Sequence, residues 1–263
     1  MTLSTPTVYL SGARARLKQL ALGTGAALSL LGAVPAMAGV VNFESVDPTF
    51  YVDGETLSEA GYALQVVDTH GTGALAGLLV NGLDPTTCSL GGCPTDNQSH
   101  YYAGLADGAL RITRNGGEAF SLASFDYAFV APIGGQINTP YGQLVLTGTV
   151  RDLGTTISYA INFPGTDSAG NPVFSSALPS AAFASSVFTS LTIRACLFDG
   201  NGGCTYPQDI SDPAYNQAQF ALDNINLAEV PEPGSLALLA LGMGALTLRR
   251  RKSAVSSNRA YQA

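Results

Sequence analysis

The sequence predicts an all-β domain, an antiparallel β-sandwich of jelly-roll type with about nine strands. Three observations lead there. Apolar residues recur with the period of a strand: within residues 156–163, Ile157, Tyr159, Ile161 and Phe163 share one face, and Thr156, Ser158, Ala160 and Asn162 the other. The runs are short and end in turn residues. Asn115-Gly116-Gly117, which follows the run 110–113, is a hairpin signal because both residue types tolerate positive φ. Across residues 39–229 no apolar pattern of helical period is long enough for an extended helix. A set of short strands with no helix to cover them packs sheet on sheet.

Taken in order, the chain opens with the three zones of a secretory signal peptide. Arg14, Arg16 and Lys18 form a positive region, residues 20–34 are apolar without a charge, and Ala36-Met37-Ala38 places small residues at the two positions a signal peptidase reads. Cleavage is expected after Ala38, so residues 1–38 engage the secretion machinery and signal peptidase and are then removed. The apolar run is shorter than the roughly 20 residues a membrane-spanning helix requires.

Residues 39–229 form the expected sandwich domain, with strands at 40–43, 62–67, 74–80, 110–113, 120–130, 143–149, 156–163, 187–196 and 219–227. The strand 120–130 changes phase. Phe120 and Leu122 share one parity, while Phe125, Tyr127 and Phe129 take the other, which predicts a bulge near Ala123-Ser124. Residues 84–100 and 165–186 are rich in Gly, Pro, Ser and Asn and are expected as surface loops, the second with a short helix around 177–184.

This domain holds eighteen acidic residues against four arginines and no lysine, a net charge of −14. That balance argues against nucleic acid and anionic lipid as partners. Divalent cations, neutral glycans and plain solubility are compatible with it. Its four cysteines, Cys88, Cys93, Cys196 and Cys204, allow three connectivities. The local pairs Cys88–Cys93 and Cys196–Cys204 are favoured because each closes a Gly-rich loop in an oxidising compartment. A four-cysteine zinc site is the rival, and the spacings lack the paired C-x₂-C pattern.

No catalytic constellation is legible. His70 and His100 belong to no metal-binding pair, and neither a G-x-S-x-G elbow nor a phosphate-cradling loop occurs. With eighteen carboxylates, two close enough to imitate a glycosidase site are expected by chance. The domain is therefore expected to be non-catalytic, with no cofactor beyond a structural calcium as candidate. Glu44 ends the first strand and Asp223 lies in the last, and calcium takes six to eight such oxygens. Phe43-Glu44-Ser45 and residues 220–224 resemble strand ends of sandwich modules in carbohydrate-binding proteins, some with a structural calcium there. The alternative is that Asp223-Asn224 caps a turn or accepts backbone N–H bonds. Tyr101 and Tyr102, beside a loop, are the candidate sugar-stacking rings. Core and rim packing is the competing role for such rings, and Trp is absent from the chain.

The C-terminus is organised in three parts. Val230-Pro231-Glu232-Pro233 leads into residues 236–248, which carry no charge, and then into Arg249-Arg250-Arg251-Lys252. Prolines are well placed just before a helix begins. Thirteen helical residues cover about 20 Å, short of a hydrocarbon core of roughly 30 Å. The basic cluster should stay cytoplasmic. Such a brief stop suits a segment that is recognised in the membrane transiently and then removed. This ordered triple resembles the PEP-CTERM sorting signal of Gram-negative bacteria, over the last 35 residues. The resemblance implies recognition by an exosortase, a membrane protease that acts during delivery to the cell surface or extracellular matrix. Residues 253–263 form a polar extension beyond the usual end of such signals. Gln219-Phe220-Ala221-Leu222-Asp223 resembles the Gln-Phe-x-x-Asp motif of a subset of these proteins, which implies no activity. Two roles stay open: a structural or adhesive surface protein, and a module that binds extracellular polysaccharide, with an exported hydrolase as a distant third.

Overall fold

In the computed structural model the described residues are 38–88, 91–132, 142–199, 201, 203–207, 209–212, 214–230 and 242–243. The residues expected as signal peptide, sorting tail and hydrophobic helix lie outside them, apart from Ala38, Val230 and residues 242–243. Among the described residues no helix is long and apolar enough to cross a membrane.

The chain runs through β1 (Ala38–Val41), β2 (Phe50–Val52), β3 (Thr56–Glu59), β4 (Tyr62–Val67) and β5 (Leu75–Asn81). After a 3₁₀ turn at Pro85–Thr87 come β6 (Gly91–Gly92), β7 (His100–Gly104), β8 (Ala109–Arg114), β9 (Phe120–Phe129) and β10 (Ala131–Pro132). Next are β11 (Gly142–Val150), β12 (Thr156–Asn162), β13 (Ser175–Ala177) and the one-turn helix α1 (Ala181–Ala184). The chain closes with β14 (Phe188–Phe198), β15 (Cys204–Thr205) and β16 (Phe220–Glu229).

The all-β, antiparallel expectation holds, and all nine expected strands are present. The count of about nine is corrected upward, because β2, β3, β6, β7, β10, β13 and β15 are additional. Six of them are four residues or shorter and lie in turn-rich sequence, where a period of two has no room to declare itself. The seventh, β7, is buried on both faces and so shows no alternation.

Fourteen strands form one hydrogen-bonded network that folds into two facing sheets. The first has the order β2-β5-β7-β16-β9, with β13 beyond β9 and β1 along the second half of β16. The second has the order β3-β4-β8-β14-β11-β12. The pair Phe188↔Phe120 joins them. The main core lies between the sheets. Phe43, Tyr102, Phe120, Phe125, Phe129, Phe220 and Leu222 from the first meet Tyr62, Leu64, Leu110, Ile112, Phe188, Leu191 and Ile193 from the second. Every described strand and both core clusters fall within one compact unit, Ala36–Val230.

Two glycines admit core rings. A Cβ on Gly104 would sit 2.3 Å from Phe220 Cε1, and one on Gly148 would sit 2.3 Å from Phe188 Cε1. Each ring fills a notch that any side chain would close.

The outer face of the first sheet is not free. Leu78, Val80, Tyr101, Ala103, Ala128 and Ala221 form a second apolar layer, on which Cys88, Cys93 and Phe174 pack. The predicted bulge is present. Between Leu122 and Ser124 the register against β16 shifts, which leaves Ala123 as the extra residue, and β16 bulges in turn between Asp223 and Asn226.

Candidate functional site

The bulge in β16 places the most distinctive polar group of the domain. Asn224 adopts left-handed backbone, with φ 47°, directly after Asp223. Asp223 lies across the ladder from Asp126 of β9. Since Leu222 and Tyr127 point into the main core, the period of two turns both carboxylates to the outer face. There the residues before β7 fold over them. Asn97 Nδ2 donates to Asp223 Oδ2 at 2.8 Å, the Ser99 hydroxyl lies 2.7 Å from the same oxygen, and Asn224 N–H donates to Oδ1 at 2.7 Å. Asp126 accepts from the Ser176 hydroxyl at 2.5 Å and from Asn224 Nδ2 at 2.9 Å. Asp96, the third carboxylate, receives the Phe174 N–H on both oxygens, at 3.0 and 3.1 Å.

Asp96, Asn97, Ser99, Asp126, Asp223 and Asn224 line an open cleft of about 380 Å³, completed by Gln98 and Phe174. Asp223 is fully buried. Burial pushes its carboxyl above the usual range and Asp126 adds to that, while its three donors pull it back. The cleft thus offers carboxylate oxygens and side-chain amides beside one aromatic ring. That composition can hydrogen-bond a polyhydroxylated ligand.

A second polar node lies on the turn between β7 and β8. Asp107 is 1% exposed and accepts the N–H groups of Asn216 and Ala218 at 2.6 and 2.7 Å. Arg194 stacks 3.5 Å above the Tyr206 ring, and His70 lies edge-on to Tyr215 with Nε2 3.1 Å from the Pro207 carbonyl. These contacts fasten the segment 205–218 to the sheets.

The sequence-predicted residues fare differently. Both favoured disulfides are present, Cys88–Cys93 and Cys196–Cys204. Tyr101 and Tyr102 are corrected: at 1% and 0% exposure they are core residues, not surface platforms. Tyr102 packs between Phe43 and Phe220, and Tyr101 meets Phe174 on the outer face. Glu44 and Asp223 are each engaged with protein donors, Glu44 through the His100 N–H at 2.8 Å. Glu59 accepts the Phe43 N–H at 2.9 Å, and burial, with a smaller addition from Asp223, raises its carboxyl. Among the described residues no three His, Cys, Asp or Glu side chains come together as a metal-binding group.

Gln219, Phe220 and Asp223 have three separate structural duties. Gln219 Nε2 holds Asn216 Oδ1 at 2.6 Å, Phe220 fills the Gly104 notch, and Asp223 ties the bulge to residues 97–99. Ala38 opens β1 opposite Ala228, and the Val230 N–H donates to the Ala119 carbonyl at 3.2 Å. Ala36, Pro231, Glu232, Pro233, Arg249, Arg250 and Arg251 lie outside the described residues. The sequence had not singled out Asp96, Asn97, Gln98, Asp126 or Phe174. For Asp126 a signal existed: it is the polar residue between Phe125 and Tyr127, so alternation turns it outward.

Residues 229–252 match the family described as the PEP-CTERM protein-sorting motif. Two solved structures are similar in part. One is a carbohydrate-binding module of family 29, with 11% identity and a TM-score of 0.30, covering 77% of this chain and 99% of that one. The other is TmCBM61 in complex with β-1,4-galactotriose, with 8% identity and a TM-score of 0.32, covering 72% of this chain and 94% of that one. No curated protein matches the chain.

Proposed function

We propose that the chain is exported, sorted by an exosortase to the surface or extracellular matrix of a Gram-negative bacterium, and acts there as a structural or adhesive protein without catalysis. The sorting motif at 229–252 carries this reading. It follows without a spacer from β16, whose last residue is Glu229. The pairing Ala38↔Ala228 supports it too, since removal of residues 1–38 would take only the first residue of β1. The acidic, disulfide-pinned domain suits an oxidising exterior. The Gln219-Phe220…Asp223 pattern supports placing the chain in the subset that carries this motif before the signal, with the motif bracing the last strand.

The test is the intact mass and cell fraction of the native protein, with and without the host's exosortase. A surface product that lacks residues 1–38 and is trimmed near Val230-Pro231-Glu232-Pro233, but stays untrimmed without the exosortase, is expected. A product that keeps residues 236–248 in both backgrounds makes the tail an ordinary anchor and overturns the reading.

The cleft favours a second reading, binding of extracellular polysaccharide. Gln98 is exposed there, and so is Asn224, on a backbone that glycine also adopts. The substitutions Gln98→Ala and Asn224→Gly should therefore lower affinity for isolated matrix polysaccharide at least about ten-fold without unfolding the domain. Equal binding by the variant, or none by the wild type, refutes it.

A further inference from the structure

The two sheets end in strands of very different length. β1, β2, β3, β13 and β15 are each four residues or shorter, and β3 carries Glu59. β12 is the exception. It has seven residues, pairs with β11 on one side, and among the described residues pairs with no strand on the other. An exposed sheet edge presents a row of unpaired N–H and C=O groups, and proteins ordinarily blunt such edges with charges, prolines, bulges or brevity. β12, Thr-Ile-Ser-Tyr-Ala-Ile-Asn, has none of these, and its register with β11 runs unbroken from Thr156 to Asn162. Its cover is partial, the Tyr127 hydroxyl donating to the Asn162 carbonyl and Tyr159 meeting Phe183 and the Leu178 carbonyl. It is also uncharged in a domain of net charge −14, with Asp152 and Asp167 as the nearest acidic residues along the chain.

The geometry points to β12 as a self-association edge whose partner is β12 of a second copy of this chain, in antiparallel register centred on Tyr159. The sequence of the strand is self-complementary about that residue. Turned through a two-fold axis, Ile157 stands opposite Ile161 of the second copy, Ser158 opposite Ala160 and Tyr159 opposite Tyr159. Ile157, Tyr159 and Ile161 are half-buried at the margin of the main core. The corresponding row of the second copy would continue that core across the junction. The outer-face residues Thr156, Ser158, Ala160 and Asn162 are small or polar and exposed, so they leave the approach open. The pairing is isologous and closes at the dimer, which becomes one extended sheet flanked by two sandwiches. It requires no sorting and stands whether or not the reading of the tail does.

The domain 38–230, which carries every described strand and both cores, is examined by sedimentation velocity up to about 1 mM. A monomer–dimer equilibrium is expected, with the amides of residues 156–162 gaining hydrogen-exchange protection as concentration rises. The double variant Ser158→Lys/Ala160→Lys sets like charges opposite each other twice across the two-fold axis and should weaken dimerisation about ten-fold or more. Thermal melting should hardly change, because both positions are exposed. The variant Ser158→Lys/Ala160→Glu, in which the lysine of one copy meets the glutamate of the other, should restore the dimer. A wild type that stays monomeric, a dimer without protection of β12, or equal association of the double-lysine variant would overturn the assignment.

Discussion

The substitution Gly104→Ala examines the packing of the last strand at a single atom. The added Cβ would lie 2.3, 2.5 and 2.9 Å from Phe220 Cε1, Cζ and Cδ1, where ordinary carbon contacts are about 3.5–4.0 Å. Neither partner can retreat easily. Gly104 is paired to Phe220 on one side and to Gly77 on the other, and the Phe220 ring is fully buried against Tyr102 with centroids 6.1 Å apart. Overpacking of a closed core costs about 1–3 kcal/mol, and an overlap above 1 Å belongs at the upper end. For a domain of this size about 3 kcal/mol lowers Tm by roughly 6–12 °C. Phe220→Leu alone should cost about 1.5 kcal/mol through lost burial. Because that change also removes the obstructing ring, the double variant should lose about 2 kcal/mol rather than the sum of about 4.5, a coupling of about 2.5 kcal/mol. Urea unfolding of the wild type and the three variants measures the cycle. Additivity within about 0.5 kcal/mol would refute the notch as the cause.

Two further outcomes follow from the polar groups and the bridges. Burial raises the carboxyls of Asp107, Asp223 and Glu59 above their unfolded values, so the folded state takes up protons first as pH falls. Their ionisation therefore costs stability as pH rises from the ordinary carboxylate value, about 4, through the raised ones. Asp68 is lowered despite its burial, through hydrogen bonds from His70, Thr72 and Gly73, and its contribution is lost only below the ordinary value. Urea midpoints should accordingly rise from neutral pH towards about pH 5 and fall at stronger acidity, and a monotonic fall from pH 7 would contradict the assignment. Cys88→Ser with Cys93→Ser should cost about 2 kcal/mol by loop entropy and speed hydrogen exchange at residues 96–99, which follow the bridge directly on the way to β7. Exchange unchanged there would mean that the bridge does not shape the cleft.

Much of the architecture was legible because burial on one face alone writes a period of two. β4, β11 and β12 alternate residue by residue, and the phase change in β9 marked its bulge within one residue. β7 was missed for the opposite reason. Tyr101 faces the outer apolar layer and Tyr102 the main core, so the strand is buried on both sides. Behind a loop rich in Ser, Asn and Gly it reads as a pair of exposed rings. The cleft was singled out only at Asp223 and Asn224, with a further signal at Asp126 in the alternation of β9. Its other members come from residues 96–98, 126 and 174, and what joins them is a loop laid over a sheet, a long-range contact that local pattern does not encode.

The place of β16 bears on how the domain carries load. It lies inside the first sheet, with β9 on one side and β7 then β1 on the other, over ten residues that end at Glu229. A pull at Val230 runs along that strand, so the hydrogen bonds on both flanks are loaded in shear, together rather than one after another. β1 runs antiparallel and leaves the same end at Ala38, so traction applied there is first borne by four residues paired to β16 alone. The fold is therefore mechanically stiff when held by its C-terminal end and soft when held by its N-terminal end.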